Sequence, residues 1–210
     1  GSIEKLHAFY DRGVRMMTLT WNFPNEIGFP NVHMPEDGGE PDFTVPETKK
    51  GLTEFGFDLI AEMERIGMIV DVSHLSDAAK KPFVASHSDA RTVCRAVRNL
   101  TDDMIRTLAE KGGVTGLNYC ADFLAEGVPG QENKGTIEAI VRHAKHIVNV
   151  GGEDCLGLGS DFDGIETHAE LTGADKLPLL DDALAKAGFT QRQREKIFSE
   201  NVLRVYREIL

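Results

Sequence analysis

The stretch Cys155 to Gly164, CLGLGSDFDG, is small and apolar until it stops at two carboxylates flanking one aromatic ring. Carboxylates at the tip of a buried run need water, a hydrogen-bond partner or a cation. Two more apolar runs end on a similar note: MIVDV leads into Ser73-His74, and FVA into Ser86-His87. Imidazole is the commonest nitrogen ligand of metals, and two rings at equivalent strand ends can address one cation. The ordinary alternative is that each ring caps its strand by bonding to backbone. Asp161 is then a candidate ligand, or the group that takes a proton from an activated water. Asp163, ahead of Gly164, reads as a turn residue. Arg98, in AVRNLTDD, offers a fork for a substrate carboxylate, against the plainer reading of a surface ion pair worth little. His7, His33, His143, His146 and His168 fall on helix faces or in loops and are expected in solvent.

These residues need elements to bring them together. Residues 3 to 11 place Ile3, Leu6 and Tyr10 at helical spacing, with Gly13 as a stop. Phe55, Leu59, Ile60, Met63 and Ile66 form an apolar stripe over 53 to 66, ended by Gly67. Further helices are expected over 102 to 110 behind Thr101, over 136 to 150, over about 178 to 187 and over 190 to 209. Asp102 and Asp103 suit the positive end of their helix. Strands are expected at 14 to 20, 68 to 72, 83 to 85, 113 to 118 and 155 to 160, and a long Pro- and Gly-rich loop at 22 to 50. Alternating strands and helices imply a parallel sheet with helices packed outside. A β/α barrel and an open doubly wound sheet both gather functional groups at strand ends. Convergence from three strands favours the barrel. One connection is too short: LSDAAKKP, between His74 and the next strand, is less than a parallel crossover usually takes. Either those strands are joined unusually or a segment is missing.

The formal net charge of −11 disfavours a polyanion partner. Cys94, Cys120 and Cys155 form no CxxC pair, which argues against a thiolate zinc site or disulfide framework and for reduced thiols in the cytoplasm. No apolar run reaches membrane-span length, and the start lacks a signal-peptide pattern. Gly1-Ser2 reads as a cloning scar, so the native chain is expected to begin further upstream. No nucleophile elbow, P-loop or dinucleotide fingerprint is present.

The blocks GVRMMTLTWN, GLTEFGFDLIAEMERIGMIVDVSHLSD, PFVASHSDARTVCRAVRNLTDDMI, HIVNVGGEDCLGLGSDFDGI and ENVLRVYREI together resemble the membrane (renal-type) dipeptidase family of zinc-dependent dipeptidases. The likeness runs from near residue 3 to the C-terminus. It implies a bacterial member with a TIM-type (β/α)8 barrel and a two-zinc centre that hydrolyses dipeptides. Residues 1–210 would form a single catalytic-barrel domain, lacking the barrel's first strands. By position, His74 and His87 correspond to two ligands of the second zinc, Arg98 to the arginine that holds the substrate carboxylate, and Asp161 to the acid that handles protons. The family's His-x-Asp metal pair and bridging glutamate would lie upstream of Gly1, so the chain alone is expected to bind zinc partially or not at all and to be nearly inactive. Where the family has a substrate-contacting histidine after TLT, this chain has Trp21, and Asn22 beside it is at most a weak donor.

Two other readings stay open: a metal-dependent amidohydrolase acting on cyclic amides or nucleobases, and a non-catalytic barrel fragment or scaffold. The expected partners are a dipeptide and, through open strand edges, further copies of the chain, with no nucleic acid and no membrane.

Overall fold

The computed structural model describes every residue except 36, 37, 40, 76–82, 128–132, 134 and 167. Among the described residues, five parallel strands form one sheet in the order β1-β2-β3-β4-β5: Met16–Thr18, Ile69–Asp71, Val84–Ala85, Val114–Asn118 and Leu156–Ser160. Each strand is a neighbour of the next in sequence, and the order never reverses. A doubly wound sheet reverses at its switch point; an unbroken sequential order is that of a barrel wall. The architecture is therefore α/β with the strand order of a (β/α) barrel.

Local sequence explains the helices. In α2, Glu54–Ile66, the Thr53 hydroxyl accepts from the Gly56 N–H at 3.0 Å, Leu59, Ile60 and Met63 face the core, and Gly67 at φ 76° ends the helix in the left-handed region. In α3, Asp102–Glu110, Thr101 plays the same capping part, and Ile105 and Leu108 are buried. Thr136 caps α5, Ile137–Gly151, which buries Ile140, Ala144 and Ile147. These helices pack with Val70, Ala85 and Leu117 into the main core. Ile69, Val84 and Val114 belong to a second apolar cluster, with Val205 of α8, Asn201–Ile209. Adjacent residues of one strand join different clusters because side chains alternate across a sheet.

Several expectations need adjusting. Each strand is shorter than its apolar run, because pairing extends only where a neighbouring strand lies alongside; β1 and β2 pair over Met16↔Ile69 to Thr18↔Asp71. The expected helix over 190 to 209 runs unbroken from 191 to 209 but holds a π-helical turn, Lys196–Glu200, between α7, Gln191–Glu195, and α8. The turn precedes Asn201, whose buried amide donates to the carbonyls of Glu153 and Leu156, each at 2.8 Å. α1, Ile3–Asp11, precedes β1, a short helix, α4, Ala121–Leu124, follows β4, and α6, Leu177–Lys186, follows β5. β2 and β3 do pair in parallel, Asp71 opposite Val84, despite the short connection. The expectation of a missing helix there falls on residues 76–82, outside the described residues.

Candidate metal and substrate site

The strand tips build one cavity of about 650 Å³. Its lining includes His74, His87, Arg98, Asp161 and Asn22, with Trp21, Phe43, Cys120 and Phe123 around them. Every residue singled out for chemistry thus reaches one hollow at the C-terminal ends of the strands.

His74 and His87 each lie three residues beyond the paired residues Asp71 and Val84, so parallel pairing of β2 and β3 sets the rings side by side. Their Nε2 atoms are 3.1 Å apart, and the ring planes meet edge to face. Burial, then the Arg98 guanidinium, then His87 push the pKa of His74 down to about 3. Burial and Arg98 likewise lower that of His87, against the pull of Asp161 and Asp71. Both rings are therefore neutral at pH 7, the form that ligates a metal. The nitrogen pair fits a zinc-type cation in donor type and protonation. Among the described residues, no group of three or more His, Cys, Asp or Glu side chains forms a metal-ligand set.

Asp161 is aimed by strained backbone. β5 carries an irregularity opposite Leu117/Asn118, so that Leu158 pairs with Leu117 and Ser160 with Asn118. An extra residue in one strand turns the chain that follows. Ser160 and Asp161 then take φ values of 44° and 68°, a conformation that costs about 1–3 kcal/mol per non-glycine residue and persists only where its surroundings enforce it. The Asn118 amide, fully buried, donates to Asp161 Oδ2 at 3.2 Å and to the His87 carbonyl at 3.4 Å, tying the acid to the histidine strand. Gly164 leaves room for the carboxylate; a Cβ there would run into Asp161 Oδ1.

Arg98 is not a surface ion pair. It is 8% exposed, donates to the Ser73 carbonyl and lies over the Phe123 ring at 5.8 Å. Burial lowers its pKa to about 10, with Asp161, Asp71 and Asp89 opposing, so it is charged at neutral pH. Its loop is tied down by bonds between Arg91 and Leu100 and between Leu100 and Asp89, both 2.8 Å. Asn22 meets the pair at His74, its Oδ1 3.2 Å from His74 Nδ1. Trp21 stands at the rim, 64% exposed.

The expectation of five solvated histidines holds for His33 alone. His143 is fully buried: its Nδ1 accepts from the Ala90 N–H and its Nε2 donates to the Leu124 carbonyl, both at 3.0 Å. His168 is 1% exposed, and its Nδ1 accepts from the Glu170 and Leu171 N–H groups. His7 and His146 are partly covered and pair with Glu62 and Asp102. Residues not singled out from sequence also build the site: Asp71, Ser86, Asn118, Phe43 and Phe123. For Asp71 a signal was present, since a lone charge interrupts the apolar run MIVDV.

The sequence matches the family description of membrane dipeptidase (peptidase family M19) across residues 1–210. An uncharacterised protein of Klebsiella pneumoniae, encoded in the 5′ region of pqqA, is 37% identical over the whole chain, which covers 77% of it. A dipeptidase of Schizosaccharomyces pombe, itself uncharacterised, is 36% identical over 99% of the chain. The chain spans about half the length of that protein, 49%. Among solved structures, a metallopeptidase from Rhodobacter sphaeroides, determined with a phosphinate mimic of the dipeptide L-Ala-D-Ala, superposes with a TM-score of 0.83 at 30% identity. That likeness covers 99% of this chain and 59% of the other. The chain belongs to the membrane dipeptidase family, peptidase family M19.

Proposed function

We propose that this chain carries one part of the catalytic centre of a zinc-dependent dipeptidase. The observation that bears most weight is the meeting of two imidazole nitrogens, 3.1 Å apart, with a buried arginine and a carboxylate in one cavity. His74 and His87 would hold a zinc ion through Nε2. Zinc supplies a water acidified towards neutral pH and polarisation of the scissile carbonyl.

The chain's own residues do the rest. Arg98, charged and immobilised by its bond to Ser73, receives the free carboxylate of a dipeptide in a bidentate pairing. Its position sets how far the scissile bond can sit from the two imidazoles. Asp161 takes a proton at Oδ1 while Asn118 holds Oδ2, and returns it to the leaving amine. Trp21 and Phe43 give the substrate side chains an apolar wall. The dipeptide mimic bound by the Rhodobacter relative supports a short peptide, with a D-residue allowed at the second position.

Two nitrogens fill half of zinc's usual four-coordinate shell. The 210-residue chain alone is therefore expected to bind zinc weakly and turn over slowly. Trp21, the chain's single tryptophan, reports on binding directly. Adding zinc and then a dipeptide should shift its emission saturably, and Arg98→Met should weaken the dipeptide response at least tenfold. Hydrolysis should be slow, zinc-dependent and lost in Asp161→Asn. Tight binding of two zinc ions would refute the under-coordinated site. Cleavage of cyclic amides with no response to dipeptides would overturn the substrate assignment.

A further inference from the structure

Beneath the two histidines lies a carboxylate that the reaction does not use. Asp71, the last residue of β2, is 1% exposed, yet five donors converge on it. Oδ1 accepts from Ser73 N at 3.1 Å, Ser73 Oγ at 2.8 Å and Ser86 N at 2.9 Å. Oδ2 accepts from Thr18 Oγ1 at 2.6 Å and Ser86 Oγ at 2.7 Å. These donors come from the ends of β1, β2 and β3. Burial opposes the charge, but the hydrogen bonds outweigh it and keep the carboxyl ionised.

A serine hydroxyl has one hydrogen to give. Ser86 gives its own to Asp71, so towards His87 Nδ1, 2.7 Å away, its oxygen can only accept. His87 must then carry its proton on Nδ1. The same logic holds at the facing ring, because Asn22 Oδ1 is an acceptor and His74 Nδ1 is its donor. In the neutral pair neither Nε2 has a hydrogen, and two bare lone pairs face each other across 3.1 Å. That contact repels unless a cation or proton is shared between them.

We propose that Asp71 is a positioning residue: through the Ser86 hydroxyl it locks His87 in the Nδ1–H tautomer and so aims a free Nε2 lone pair into the cavity. The metal reading of the site is needed only to say what occupies the gap; the tautomer does not depend on it. Partners of this kind hold a ligating imidazole in register, and losing one costs about 10–100-fold in metal affinity. A carboxylate that merely stapled three strands together would leave the ring free to choose its tautomer.

Long-range proton–nitrogen NMR on the metal-free chain at neutral pH reads the tautomer. Wild-type His87 should show its hydrogen on Nδ1. Ser86→Ala should release the ring into a mixture, and Ser86→Thr, which keeps the hydroxyl, should restore the single form. Zinc affinity, followed by competition with a coloured chelator, should fall about tenfold or more in Ser86→Ala and recover in Ser86→Thr. Circular dichroism checks that each variant folds; if Ser86→Ala does not, the wild-type spectrum and Ser86→Thr still decide. A wild-type hydrogen on Nε2, or an unchanged tautomer in folded Ser86→Ala, overturns the proposal. A chain that shows the Nδ1–H form but binds no zinc sinks the metal reading instead and leaves the positioning role standing.

Discussion

Two histidines of this chain show how much a single ring depends on its surroundings. His74 stands at a cavity with its Nε2 uncovered by any donor, while His143 lies in the core with both nitrogens used by backbone. His143 is neutral in the fold because burial pushes its pKa down to about 4. In the unfolded chain the ring titrates near 6.5, so below that pH the unfolded state binds the extra proton. Stability from this group is complete above the unfolded pKa and drains away as the pH falls to about 4, by roughly 3 kcal/mol in all. Urea unfolding at a series of pH values should show that slope. His143→Phe should flatten it while costing about 1–3 kcal/mol for each backbone group left unpaired. A slope unchanged in that variant would place the acid sensitivity elsewhere.

Helices carry their own instructions, and strands depend on neighbours. The helix over 102 to 110 could be read residue by residue, since the Thr101 cap and the Ile105–Leu108 stripe are local features. Thr101→Ala should therefore cost about 1 kcal/mol, whereas Ile147→Ala, fully buried on α5, should cost about 2–5 kcal/mol. Equal losses for the two in chemical denaturation would mean that α5 contributes little to the core. The last helical stretch is continuous, as its pattern implies, but the π turn within it has no local signal. Asn201 is held by carbonyls of residues 153 and 156, far off in sequence. Strand ends were overextended for a related reason: an apolar run marks what can be buried, and only a paired neighbour marks where the ladder stops.

At the scale of the molecule, β1 and β5 stand at the two ends of the sheet order. Unpaired strand edges invite pairing with another chain. We expect association that rises with concentration, measurable by light scattering on a sizing column, and a single monomeric mass up to high concentration would rule it out. The same sheet explains what could be read in advance. Residue order alone determined the alternation of strands and helices, the caps, and the chemical kinds of group at each strand tip, because these rest on contacts within a few residues. It also carried the family blocks from which His74, His87, Arg98 and Asp161 are proposed for the site. Only the packed sheet decided that the imidazole nitrogens face each other, that Asp71 and Ser86 stand behind one of them, and that His143 turns inward. Those facts depend on which strands lie side by side and on how a bulge rotates a tip, and neither is written in the spacing of residues along one strand.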